Sequence, residues 1–167
     1  MPCDTLKLSV IARTVRTEAS FLEWHIPRVL QLCKSPLREL TVVVANNLLI
    51  RRLHLRFFDS PLLTDVMTFP LEQDDRGRAI SGEIYLCLSV ARWEAIRRRL
   101  PVRHELLLYA VHGILHLCGS DDLTARTYHA MHREEDRILR ELGFGAVFSR
   151  PERGIRRKPR RMPSPSR

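Results

Sequence analysis

Residues 110–122 read AVHGILHLCGSDD, and their polar members have the types and spacing that metal chemistry needs. His112 and His116 are four positions apart, which on a helix puts both imidazoles on one face, one turn apart. Two rings at that spacing can grip a single tetrahedral ion. Leu106, Leu107, Leu108, Ala110, Val111, Ile114, Leu115 and Leu117 make the surrounding helix almost wholly apolar. A buried imidazole needs a partner, and one shared ion supplies it to both. Gly119 then ends the helix, and a chain reversal there can return the carboxylate of Asp122 over the pair. The expected ligands are therefore His112, His116 and Asp122, holding one Zn2+ per chain and leaving a fourth position for water or substrate. Asp121 is the competing donor, because adjacent carboxylates tend to divide between the metal and the groups that orient its ligands. Cys118 could supply a thiolate, but Asp122 fits better.

The remaining histidines read differently. His129 and His132 fall among Arg133, Glu134 and Glu135 on the next amphipathic stretch. Their expected place is the exposed face, although they could approach the metal. His25 and His104 read as surface or satisfied polar residues. Metallopeptidases place a Glu directly after the first His to deprotonate water, and that position is Gly113 here, so proteolysis is a minor alternative.

The elements that must hold this group follow from periodicity. Leu6–Ile11 alternates as a half-buried strand, and Glu39–Asn46 is β-branched and apolar like another. Between them a helix over about 18–33 would place Phe21, Trp24, Val29 and Leu32 inward, with Pro27 as a possible kink. Asn46 or Asn47 caps a short helix reaching about Phe57. Thr64–Pro70 reads as a short strand closed by its proline, residues 74–78 as a charged turn, and Glu83–Leu88 as a further strand. Helices follow at about 89–99, 102–118 and 122–142, the last ended by Gly143. The expected fold is α+β: a single domain at residues 1–149 with a small mixed sheet packed by helices.

Composition separates body from tail. The formal charge is +9, but residues 150–167 hold eight Arg or Lys against the single acid Glu152. That Pro- and Ser-rich tail is expected to be disordered, either an arm for phosphate backbones or a solubilising extension. Cys3, Cys33, Cys87 and Cys118 form no CxxC pair and are read as reduced. No apolar run approaches the ~20 residues of a membrane span. The first ten residues lack a secretory layout, so the expected location is cytoplasmic.

HGILHLCGSDD resembles the signature H-G-x-L-H-L-x-G-[YF]-D-H of the YbeY family of metal-dependent endoribonucleases. His112, Gly113, Leu115, His116, Leu117, Gly119 and Asp121 match it position by position. The final position, a His ligand in the family, is Asp122, an oxygen donor that favours harder ions. Leu63–Pro70 (LTDVMTFP) is similar to the family segment P-T-D-V-L-S-F-P, and Gly82-Glu83-Ile84 to G-D-I. The resemblance implies a zincin-like fold for this single α+β domain, single-strand-specific cleavage of RNA, 3′-end maturation of 16S ribosomal RNA in the small subunit, and ribosome quality control. The family also carries an Arg, associated with substrate phosphate, six residues before the Thr of its TDV. Phe58 stands there, so Arg56 would take over only if the backbone turned it into the same cleft.

The catalytic candidates are accordingly Asp121 and Arg56, with Arg51 or the tail also on the RNA backbone and Asp65 or Asp121 available to move a proton. Two rivals stand beside this reading: a ribosome-associated RNA-binding metalloprotein with decayed catalysis, and a metal-dependent hydrolase of small phosphate esters or amides.

Overall fold

The computed structural model of the protein describes residues 6–145; the expected basic tail and Cys3 lie outside the described residues. In chain order the elements are β1 (Lys7–Ile11), α1 (Arg16–Leu32), β2 (Glu39–Ala45), α2 (Asn47–Phe58), β3 (Val66–Gln73), β4 (Ala79–Cys87), α3 (Leu88–Arg98), α4 (Val102–Leu117) and α5 (Ala125–Glu141). This is the expected order of strands and helices. The sheet runs β1-β2-β4-β3, with the first three strands parallel and β3 antiparallel at the edge. None of the described helices is long and apolar enough to cross a membrane.

Side chains alternate across the strands, so the two faces have different neighbours. Leu40, Val42, Ile84 and Leu86 join the main core with α1 and α4, while Ala45, Met67 and Cys87 form a smaller core with Ile50 of α2. Helix α4 touches the sheet, α1, α3 and α5, which explains why it is apolar on nearly every side. Gly113 makes the close approach to the sheet possible. A Cβ there would lie 2.9 Å from Thr68 Cγ2 and 3.1 Å from Ile84. A side chain at the position where a metallopeptidase keeps its Glu would force Thr68 or Ile84 to move.

Three expectations need correction. Trp24 is 80% exposed; the buried stripe of α1 is Leu22, Ile26, Val29 and Leu30, and Pro27 sits inside the helix without ending it. Proline does not close β3, which runs on to Gln73. Pro70 pairs opposite Gly82 on an edge strand, and a register shift before Glu72 accommodates its missing donor. Helix α5 begins at Ala125, not near 122, because Thr124 caps it by accepting from Thr127 N–H, and Thr127 in turn accepts from Thr124 N–H. The residues freed by that late start form the turn that carries Asp122.

Candidate metal centre

The last turn of α4 and the turn after it bring the three expected ligands together. Donor atoms of His112, His116 and Asp122 all lie within 4.8 Å of one another. His116 Nε2 is 3.0 Å from His112 Nε2 and 3.9 Å from Asp122 Oδ1. Tetrahedral donors at ~2.0–2.1 Å from zinc stand about 3.3 Å apart, so these separations bracket the required one.

The reversal that delivers Asp122 depends on Gly119, whose φ is +93°. Gly119 N–H donates to His116 C=O and Ser120 N–H to Leu115 C=O, closing α4 in a Schellman motif. The same turn sets the Ser120 carbonyl 3.0 Å from His116 Nδ1. A carbonyl can only accept, so His116 Nδ1 carries the proton and its Nε2 presents a lone pair.

His112 is oriented by a residue that sequence reasoning missed. Glu135 of α5 is fully buried, with Oε1 2.6 Å from His112 Nδ1 and Oε2 2.6 Å from His132 Nδ1. Burial would raise the Glu135 carboxyl, but hydrogen bonds and charge from the two imidazoles outweigh it and hold the group below the usual range. An ionised Glu135 accepts from both Nδ1 atoms, so His112 Nε2 also presents a lone pair. Two lone pairs therefore face each other across 3.0 Å beside a carboxylate. Only a cation or a proton relieves that arrangement, and the donor set suits a divalent ion.

The electrostatics favour a positive charge at His112 and a neutral ring at His116. Burial alone would lower His112, but Glu135 raises it by hydrogen bond and charge, with smaller help from Asp65 and Asp122. His116 is lowered, first by burial and then by its neighbour His112, against the pull of Asp122.

The structure sorts the other candidates. His132 is not on an exposed face: its side chain is 17% exposed because it shares Glu135 with His112. His129 is exposed as expected. Asp121 is exposed and accepts from Leu123 N–H at 3.2 Å. Bonds from Thr127 and Leu123 hold its carboxyl below the usual range. The Cys118 thiol lies 3.3 Å from Ser35 Oγ, outside the ligand group. Cys33, Cys87 and Cys118 are free thiols, and burial first of all pushes Cys33 up to about 12. His25 and His104 pack against Phe21 and Phe144. Asp65 accepts from Val66 N–H at 3.0 Å and Thr64 Oγ1 at 3.1 Å.

Arg56 lies on the exposed side of α2, its guanidinium 5.6 Å from the Phe57 ring centre. Phe58 is half-buried in the smaller core, its ring 5.0 Å from that of His54. Glu135 could have been found in the sequence: it is the one acid three residues beyond His132 on a strongly amphipathic helix. Nothing in the sequence says that α5 folds back to meet His112.

Comparison with known proteins follows the same lines. The family described as Endoribonuclease YbeY matches residues 11–143. A Kineococcus radiotolerans protein named Endoribonuclease YbeY is 33% identical over 155 residues, covering 89% of this chain and 81% of that protein. One of the same name from Protochlamydia amoebophila is 32% identical over 122 residues, covering 72% and 81%. With the Rhodococcus jostii relative the match is 33% over 115 residues and spans 64% of either chain. The solution structure of TM1509 from Thermotoga maritima shares the fold, with a TM-score of 0.57 at 22% identity, covering 89% of this chain and 99% of that one.

Proposed function

This chain belongs to the YbeY endoribonuclease family, and on that premise we propose that it is a zinc-dependent endoribonuclease cutting single-stranded RNA. Its proposed substrate is the 3′ end of 16S ribosomal RNA, with the ribosome as partner and the cytoplasm as location. The observation that carries the reading is the facing pair of Nε2 lone pairs, 3.0 Å apart, with Asp122 beside them. When bound, the ion supplies Lewis acidity for a phosphodiester oxygen or an attacking water.

The protein's own groups then have separate tasks. Glu135 and the Ser120 carbonyl fix the tautomers and ring planes of His112 and His116. Asp122 adds negative charge without closing the site. Asp65 is the better candidate to hold or pass a proton, since its charge reaches His112 from a half-buried position. Asp121, by bonding Leu123 N–H, steadies the turn that presents Asp122. Arg56 and Arg51 hold backbone phosphates, and unpaired strands are favoured because the linkage must bend into reach.

The test is cleavage of matched single-stranded and duplex RNA by the full chain. We expect cutting of the single strand alone, lost on chelation or in His116→Ala, and restored to the wild type by added zinc. A second reading, an RNA-binding metalloprotein with weakened catalysis, is favoured by Phe58, which packs into the smaller core where the family carries its Arg. Tight RNA binding without cleavage in the zinc-loaded protein would establish that reading instead.

A further inference from the structure

The outer side of α2 carries a surface that the metal centre does not use. Arg51, Arg52 and Arg56 are all exposed on this helix, and no acid occurs between Asn47 and Phe58. Phe57 is 53% exposed, and its ring centre is 4.7 Å from that of Phe69 on β3. The Phe69 ring in turn meets Tyr85 of β4 edge-on at 5.7 Å, so the ring that braces Phe57 is itself held by another. The Arg56 guanidinium completes the group, 5.6 Å from the Phe57 ring centre.

An exposed aromatic ring packed on a second ring, with one guanidinium beside it and two more cations on the same helix, suits one kind of ligand best. A nucleobase can stack on the ring or on the guanidinium plane, while the neighbouring cations meet the phosphates. A protein partner fits less well, because covering three cations without acids opposite them is costly.

The position relative to the metal centre is also telling. Phe69 faces α2, while its neighbour Thr68 faces α4, where it meets Gly113, the residue after His112. The aromatic step and the residue that follows His112 thus lie on opposite sides of one edge strand, reached from adjacent residues. A strand passing around the β3 edge can touch both.

We infer that Phe57, braced by Phe69 and with the Arg56 guanidinium beside its ring, on a helix that also exposes Arg51 and Arg52, is a stacking subsite for an unpaired nucleotide flanking the scissile linkage. The inference rests on the RNA reading above and adds where the strand is held. It is independent of the metal ligands.

The test uses the zinc-loaded full chain and a short fluorescein-labelled single-stranded RNA, with the same oligomer carrying abasic positions as control. Phe57→Leu keeps apolar volume but removes the π face. It is expected to raise Kd and KM about tenfold with kcat and zinc affinity held. Phe57→Trp should restore binding, and the abasic oligomer should not distinguish Phe57→Leu from wild type. Arg51→Gln with Arg52→Gln should flatten the salt dependence of binding, its slope falling by about 0.7 for each phosphate no longer neutralised. Unchanged Kd and KM in folded Phe57→Leu would overturn the inference. So would a change in its oligomeric mass by light scattering with RNA affinity intact, which would make the patch an interface between copies. If the wild type itself neither binds nor cuts single strands, the RNA reading fails first and the subsite falls with it.

Discussion

Glu135→Gln tests the metal centre through a residue that touches no ion. The carboxylate is fully buried, with 2.6 Å contacts to His112 Nδ1 and to His132 Nδ1. Both rings donate, and a carboxylate has an oxygen for each. A Gln side chain has one carbonyl oxygen and one NH2, so one of the two rings must lose its bond or switch tautomer while shape is kept. If the oxygen stays with His112, that ring keeps its tautomer but loses the negative charge that strengthens its Nε2 as a donor. If it turns to His132, His112 loses its anchor altogether. Removing such an outer partner typically weakens metal binding about 10- to 100-fold, or about 1.4–2.8 kcal/mol. The two geometries correspond to the lower and upper ends of that range. The metal-free fold should change less, because losing a bonded carboxylate also removes its desolvation cost. The measurement is zinc affinity by competition with a chromogenic chelator, beside thermal unfolding with and without metal. Zinc affinity equal to the wild type in a folded variant would refute the orienting role. A large loss of metal-free stability with unchanged affinity would show that Glu135 serves packing alone.

Three further outcomes follow from the same geometry. Chelation should lower the melting temperature, since an ion at about a thousand times its Kd contributes about 4 kcal/mol; a melt insensitive to chelator and to added zinc would remove the ion from the folded state. Gly119→Ala forces a side chain onto φ +93° and should cost about 1–2 kcal/mol in denaturant unfolding. Zinc affinity should fall with it, because the same turn sets both the Ser120 carbonyl and Asp122. Gly113→Ala gains ~1 kcal/mol of helix propensity, but its Cβ would meet Thr68 Cγ2 at 2.9 Å. Overpacking of about 1–3 kcal/mol should prevail, and a more stable variant by denaturant titration would show that β3 yields easily.

Much of the site was legible in the sequence because it is local. His112 and His116 sit one turn apart on any helix, and a glycine followed by acids within six residues leaves few places for the chain to go. Capping shifted α5 to Ala125 without disturbing that, since Asp122 belongs to the turn rather than to the helix. The strand and helix order was likewise set by short-range periodicity. Errors arose where distant elements decided the outcome. The stripe of α1 that faces α4 leaves Trp24 in solvent, and Pro70 is tolerated because β3 lies at an edge and β4 does not. Glu135 shows the same limit at the site: a charged residue on a polar helix reads as solvated until packing brings His112 against it from another helix. The sequence by itself determined that two imidazoles and a carboxylate could share an ion. Tertiary structure alone decided which way the His112 ring points, because its tautomer and orientation are set by Glu135 on another helix, whereas the partner of His116 is the Ser120 carbonyl of the adjoining turn.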